Sequence, residues 1–181
     1  MDGGGFPLIL IRMMENRLLT VLALIACLGV VLVPAFAADE PAAQPLPVPR
    51  FVTLNTDEVN LRTGPGLRYP VKLVLKKEGL PVQIIKEFDV WRQISDKDGD
   101  AGWVHKSMLS GKRGVIVTGP VQTLLRKPDE GSKPVVKLEP GVIAGLDRCD
   151  KEWCYLKVAS YKGWLKRANV WGVFPDEKFT K

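Results

Sequence analysis

The stretch Val59-Asn60-Leu61-Arg62-Thr63-Gly64-Pro65-Gly66-Leu67-Arg68-Tyr69-Pro70 sets the reading of the whole chain. It opens as an alternating strand, with Val59 and Leu61 on one face and Asn60 and Arg62 on the other. Gly64-Pro65-Gly66 then breaks the strand. Proline pre-sets φ and glycine tolerates positive φ, so the chain can turn sharply there. A second apolar run, Val71 to Leu75, follows at once. The stretch holds no nucleophile, metal ligand or general base. It reads as a folding instruction that presents an arginine, a tyrosine and a short loop at a surface.

From Phe51 onward, short runs rich in Val, Ile, Leu and aromatics alternate with Gly, Pro and Asp clusters, and no window has helical periodicity. That pattern predicts an all-β fold. The expected strands are Phe51–Leu54, Val59–Arg62, Val71–Leu75, Pro81–Phe88, Trp91–Ser95 and Gly102–His105. Asp96-Lys97-Asp98-Gly99-Asp100 forms a hairpin tip around Asp-Gly.

The second half repeats these events. Leu125-Arg126 matches Leu61-Arg62, and Pro134-Val135 matches Pro70-Val71, both at an offset of 64. Gly141 then matches Gly79, Trp153 matches Trp91, and Gly163-Trp164-Leu165 matches Gly102-Trp103-Val104, as loop deletions shorten the offset to 61. Each copy is about 60 residues long, near the lower limit for an independent domain. The expected modules are 51–113 and 114–175, with 176–181 as a tail. The short junction Gly111-Lys112-Arg113-Gly114 predicts that they pack together.

The N-terminal end of this 181-residue chain reads as a leader. Leu18 to Val33 is apolar apart from Thr20, follows Arg12 and Arg17, and precedes Ala35-x-Ala37, a signal peptidase pattern. Cleavage after Ala37 is the first reading, with Met13 and Met14 as alternative starts. An uncleaved anchor ranks second, because Leu18 to Ala38 approaches the roughly 20 residues that span a bilayer. Lipidation of Cys27 in Leu24-Ile25-Ala26-Cys27 ranks third, because the apolar run continues past the cysteine. Residues 38–50 carry Pro41, Pro45, Pro47 and Pro49 and suit an extended linker.

Residues 1–37 hold two basic and two acidic side chains, so the remainder keeps the net charge of +6. This mild, dispersed balance favours anionic surfaces weakly and, with no dense basic block, gives no reason to expect a nucleic-acid partner. A membrane partner follows only if the leader stays uncleaved. Cys149 and Cys154 remain as an even pair, in keeping with an oxidising compartment. They flank Asp150-Lys151-Glu152-Trp153, and strands meeting across that turn would set them opposite each other as a disulfide.

Asn60-Leu61-Arg62-Thr63-Gly64-Pro65-Gly66, Tyr69-Pro70-Val71, Gly79, Trp91 and Gly102-Trp103-Val104 together resemble a bacterial SH3-like domain over Phe51 to about Leu109. A weaker copy covers Thr118 to about Val173, ending in Trp171-Gly172-Val173. The resemblance implies tandem small, strongly bent β-barrels and a binding role, often towards peptidoglycan or its peptides. It does not imply catalysis. The second copy has Lys127-Pro128-Asp129-Glu130 in place of Gly-Pro-Gly, which singles out the first copy as the one that binds.

The candidate ligand residues are Arg62, Tyr69, Trp91, Asp98 and Trp153. Arginine can grip a peptide carboxylate bidentately, or it can pair internally with Asp57, Glu58 or Glu87. Trp91 and Trp153 open a strand after a turn, where an exposed platform and a core position are both open to them. Trp103 and Trp164 are expected in the core, and Gly64 and Gly66 are expected to shape the loop. Asp96 to Asp100 imitates a calcium loop, but Ala101 and Ser107 stand where glycine and glutamate are required. No metal or cofactor is implied. Zinc would need more ligands than the lone His105 and the two cysteines, and no nucleophile or metalloprotease motif occurs. The expectation is a non-enzymatic exported protein of the periplasm or cell envelope. Its partner is peptidoglycan or a wall peptide; the alternative is an adaptor role on an envelope protein.

Overall fold

A computed structural model describes residues 46–181. The leader, its cleavage, anchoring and lipidation readings, and residues 38–45 of the linker lie outside the described residues. The first copy runs through β1 (Arg50–Leu54), β2 (Glu58–Arg62), β3 (Val71–Lys76), β4 (Pro81–Phe88), β5 (Trp91–Ser95), β6 (Ala101–His105), a 3-10 turn (Lys106–Met108) and β7 (Leu109–Ser110). The second runs through β8 (Gly114–Val117), β9 (Gln122–Leu125), β10 (Pro134–Leu138), β11 (Ile143–Cys149), β12 (Trp153–Val158), β13 (Tyr161–Lys166), a 3-10 turn (Arg167–Asn169) and β14 (Val170–Trp171). The two sheets have the same antiparallel order, β3-β2-β6-β5-β4-β1-β7 and β10-β9-β13-β12-β11-β8-β14. Each curls around its own core. Val59, Leu61, Val82, Ile94 and Val104 fill the first; Val115, Leu124, Leu156 and Leu165 fill the second.

Glycine decides how tightly each sheet closes. A Cβ on Gly102 would lie 2.6 Å from Leu61 Cγ and 2.8 Å from the Arg62 carbonyl oxygen. On Gly163 it would lie 2.6 Å from the Leu125 carbonyl oxygen. Only glycine lets β2 cross β6, and β9 cross β13, so closely. Because side chains alternate, Gly102 and Val104 face the core and Trp103 faces out. The same holds for Trp164 between Gly163 and Leu165. This corrects the expectation that Trp103 and Trp164 are core residues: both are half-buried on the outer face.

The repeat register also needs correction. Arg62 stands opposite Trp103 and Leu125 opposite Trp164. Thr63 N–H donates to the Pro70 carbonyl, and Arg126 N–H donates to that of Lys133. Leu124 is therefore the counterpart of Leu61, and Leu125 that of Arg62. The identical Leu-Arg pairs were misleading. Burial selects Leu124, which is fully buried like Leu61, and exposed Arg126 takes the place of Thr63.

Cys149 and Cys154 face each other across β11 and β12 and form a disulfide. The corresponding positions in the first copy, Glu87 and Arg92, face each other across β4 and β5. There Arg92 Nε lies 2.8 Å from Glu87 Oε1, and Arg50 joins the same carboxylate. One copy holds this hairpin by charge, the other by a covalent bond.

The copies meet at Arg113. Its guanidinium spans the Glu177 carboxylate at 2.5 and 3.1 Å and donates to the Gly172 carbonyl at 3.0 Å. It also lies over the rings of Phe51 and Phe179. Phe51 of the first copy packs against Trp171 and Phe174 of the second, with centroids 5.1 and 4.8 Å away. Residues 176–181 are thus no tail. Glu177 belongs to this junction, and β15 (Phe179–Thr180) pairs with the end of β11.

Two outcomes are expected. Replacing Cys149 and Cys154 by serine should lower unfolding stability by about 2 kcal/mol in urea titrations, the chain-entropy value for so short a loop; an unchanged midpoint would contradict it. For Glu177, burial alone would push the carboxyl up. Bonds from Arg113 and the Phe174 N–H, with the charges of Arg113 and Arg167, outweigh burial and hold it below the usual glutamate value. A carboxyl held down in the folded state stabilises at neutral pH, and that contribution disappears as pH falls through its folded value. Glu177→Gln should cost roughly 2 kcal/mol at neutral pH. It should also flatten the loss of stability that sets in as pH falls below the usual glutamate range, read from urea unfolding across pH.

Candidate functional site

The Thr63–Pro70 loop is closed by its own side chains. Arg62 Nη1 donates to the Tyr69 carbonyl at 2.9 Å and to the Leu67 carbonyl at 3.3 Å. None of the acids expected as its partner is used: Glu87 serves Arg50 and Arg92, and Asp57 accepts the Glu78 N–H at 3.1 Å. The Tyr69 ring lies on Gly64, where a Cβ would sit 2.6 Å from Tyr69 Cγ. The Tyr69 hydroxyl accepts from Arg68 at 3.3 Å. Neither Gly64 nor Gly66 has positive φ. These glycines make room for a ring and do not form a left-handed turn, which corrects the first reading of Gly-Pro-Gly.

The other first-copy candidates do not converge on one ligand. Asp98 sits at the β5–β6 tip beside Lys97, 2.5 Å away. Asp96 Oδ1 accepts the N–H groups of Asp98 and Asp100, and Asp100 pairs with Lys72 at 3.0 Å, so the carboxylates shape the tip. Trp91 lies at the opposite end of that hairpin, opposite His105. Four strand steps separate the two ends, about 13 Å. Half-buried Trp91 meets the His105 ring edge-on at 5.7 Å. His105 Nδ1 in turn accepts the Ser107 N–H and caps the 3-10 turn.

The second copy is more open. Trp153 is buried at 9% exposure, yet it forms one wall of a cleft of about 260 Å³ with Thr123, Leu125, Glu130, Lys166 and Asn169. Lys166 Nζ lies 5.8 Å from the Trp153 ring centroid and pairs with Glu130. Asp150 fixes the entry to β12: its carboxylate accepts the N–H groups of Trp153 and Glu152, which hold its pKa below the usual aspartate value. On the outer face, the Tyr155 and Trp164 rings pack at 5.1 Å with their planes tilted by 55°, and the Arg148 guanidinium lies over both. Glu130, Lys166, Tyr155 and Arg148 escaped the sequence reading. Alternation from buried Cys154 and Leu156 would have placed Tyr155 outward, opposite Trp164. Among the described residues, no three His, Cys, Asp or Glu side chains gather as a metal-binding group.

Two curled sheets of identical strand order, each closed at a Gly-Trp step, define a tandem of small β-barrels. The sequence profile of the bacterial SH3 domain matches residues 55–111 and 119–172, and the chain belongs to that family. It is 29% identical over 126 residues to "Putative N-acetylmuramoyl-L-alanine amidase YrvJ" of Bacillus subtilis (strain 168). The match covers 64% of this chain and 24% of that protein, so the chain spans about a quarter of its relative. Among solved structures, NlpC2 and NlpC1 of Trichomonas vaginalis align over 70% and 71% of this chain and 49% and 48% of theirs. Identity is 11% and 12%, and the TM-score is 0.32 for each. Likeness of that degree leaves the site to be read from this chain's own geometry.

Gly64→Ala should push the Tyr69 ring off the loop and cost about 1–3 kcal/mol, the usual range for overpacking. Shifted Tyr69 ring resonances together with a lowered urea midpoint are the expected result. An unchanged midpoint would mean that the ring contact does not organise the loop.

Proposed function

We propose that the protein is a non-catalytic, exported module that binds cell-wall material. The observation that carries this reading is the pair of bacterial SH3 copies, similar over most of its length to part of a protein named as an amidase of N-acetylmuramoyl-L-alanine, a cell-wall linkage. The chemistry of the described residues agrees with binding. Both cysteines are joined to each other. Glu130, Asp147, Asp150 and Glu177 are held as anions by lysines, an arginine or backbone N–H groups, the opposite of a carboxyl tuned to give up a proton near neutrality. The cleft beside Trp153 offers what a wall peptide needs: an aromatic wall, a cation and hydrogen-bonding groups. It moves the favoured copy from the first to the second.

A second reading, an adaptor for an envelope protein, has its own support. The end of β11 is covered by β15, whereas on the β1 side of β4 the corresponding end has, among the described residues, no strand beside it past the Arg50–Ile84 pair. Pro47 and Pro49 precede β1 there and cannot donate to a ladder. Exposed Ile85 and Phe88 lie on that open edge, which suits strand addition by a partner.

The deciding measurement is co-sedimentation of the exported protein with purified peptidoglycan. Enrichment in the pellet is expected, lost when Trp153 is replaced by alanine in a variant that stays folded by circular dichroism. Equal recovery with and without wall material would remove the reading. One stoichiometric protein partner, with no retention on bare wall, would put the adaptor in its place.

A further inference from the structure

The second copy differs from the first in charge where β13 meets its 3-10 turn. Lys166 and Arg167 stand where the first copy has His105 and Lys106, and Lys151 stands where it has Asp89. These three cations line a cavity of about 650 Å³ together with Val170, Val173 and Glu152. Arg167 is built into the wall at 8% exposure. Its guanidinium donates to the carbonyls of Asp150, Phe174 and Glu177, and its buried Nε has no partner. Among the described residues no carboxylate pairs with it directly, so its charge is offset only by carbonyl dipoles and more distant acids. Lys166 borders both this cavity and the Trp153 cleft. Its ammonium already carries a carboxylate, that of Glu130, delivered by the loop that replaces Gly-Pro-Gly. The Glu130 side chain is 73% exposed, and exposed pairs of this kind exchange easily.

We propose that Lys166, at the border of the Lys151–Arg167 cavity and the Trp153 cleft, is a carboxylate subsite, that Glu130 occupies it from the Trp153 side, and that a free carboxylate of a wall stem peptide displaces Glu130 from Lys166. The inference rests on the cell-wall reading above. The Lys166 and Lys151 ammonium groups can donate to a carboxylate, the enclosed Arg167 charge adds attraction at longer range, and Val170 and Val173 in the lining suit the alanine methyl groups beside it. Glu130 then competes with ligand, and its removal frees the site. Arg167 positions the C-terminal segment as well as contributing charge, so the test leaves it intact.

The full chain is titrated with the tetrapeptide L-Ala-γ-D-Glu-L-Lys-D-Ala while the Trp153 indole N–H resonance is followed. The same peptide amidated at its free carboxyls serves as comparison. The free acid is expected to shift the resonance and the amide to leave it in place. Glu130→Gln should tighten binding about three- to tenfold, and Lys166→Gln should weaken it at least about tenfold, the scale of one to two charge contacts. Both residues are exposed, so unchanged thermal midpoints are expected to confirm folding. Equal binding of the amide, or Glu130→Gln binding no tighter than the parent, would overturn the subsite. A linear L-peptide with the same terminal carboxylate binding equally well would overturn its assignment to the wall. If the parent protein still sediments with peptidoglycan while both variants bind the peptide as it does, the subsite falls and the cell-wall reading stands.

Discussion

Arg113 is the residue on which the arrangement of the two barrels depends. It lies in the short junction between them, its side chain is 12% exposed, and both Nη groups are engaged while the buried Nε has no partner. The Glu177 carboxylate, the Gly172 carbonyl and the faces of Phe51 and Phe179 surround it. A charge this far from water is tolerable only when paired and hydrogen-bonded. Once the pair forms, the chain end is held against the strand that begins the first barrel. The junction therefore has three parts: the end of the first copy, the start of the second, and the final segment of the chain. Gly114 shows how close they are, since a Cβ there would lie 2.9 Å from Thr53 Cγ2 and 3.0 Å from the Gly79 carbonyl oxygen.

Within that frame one plan is built twice and held by different means. The β4–β5 hairpin relies on Glu87 between Arg50 and Arg92, and the β11–β12 hairpin relies on Cys149–Cys154 at the same positions. A partly exposed ion network weakens with salt, and a disulfide does not. The loops diverge in the same way. In the first copy Arg62 and Tyr69 fold the loop onto itself. In the second no such ring fills the loop, and Glu130 reaches across to Lys166 beside Trp153. The copy with the more regular loop chemistry is the more closed one, because the residues that make its loop distinctive are spent on holding it shut.

The all-β class, six of the seven strands of the first copy to within one residue (all but the short β7), the Asp-Gly tip and the facing cysteines were legible in the chain. All are local: alternation of period two, turn chemistry and a short loop determine them without reference to distant residues. The repeat was legible as well, but its register was not. Sequence identity favoured pairing Leu125-Arg126 with Leu61-Arg62, whereas the contact with Gly163 requires Leu124 in the core. The outward turn of Trp103 and Trp164 was missed for a related reason. In each strand glycine is itself the inward residue, so the tryptophan beside it points out.

What the sequence by itself determined is therefore the longer strands of the first copy, their order and their duplication, since each follows from near-neighbour patterning. Only the tertiary structure decided which face each tryptophan takes, what Arg62 holds, that residues 176–181 belong to the fold, and that Lys166 carries Glu130. Each of these turns on groups far apart in the chain meeting at one point. Close approach of strands at Gly102 and Gly163 and the enclosure of Arg113 set those meetings, and no local pattern encodes them.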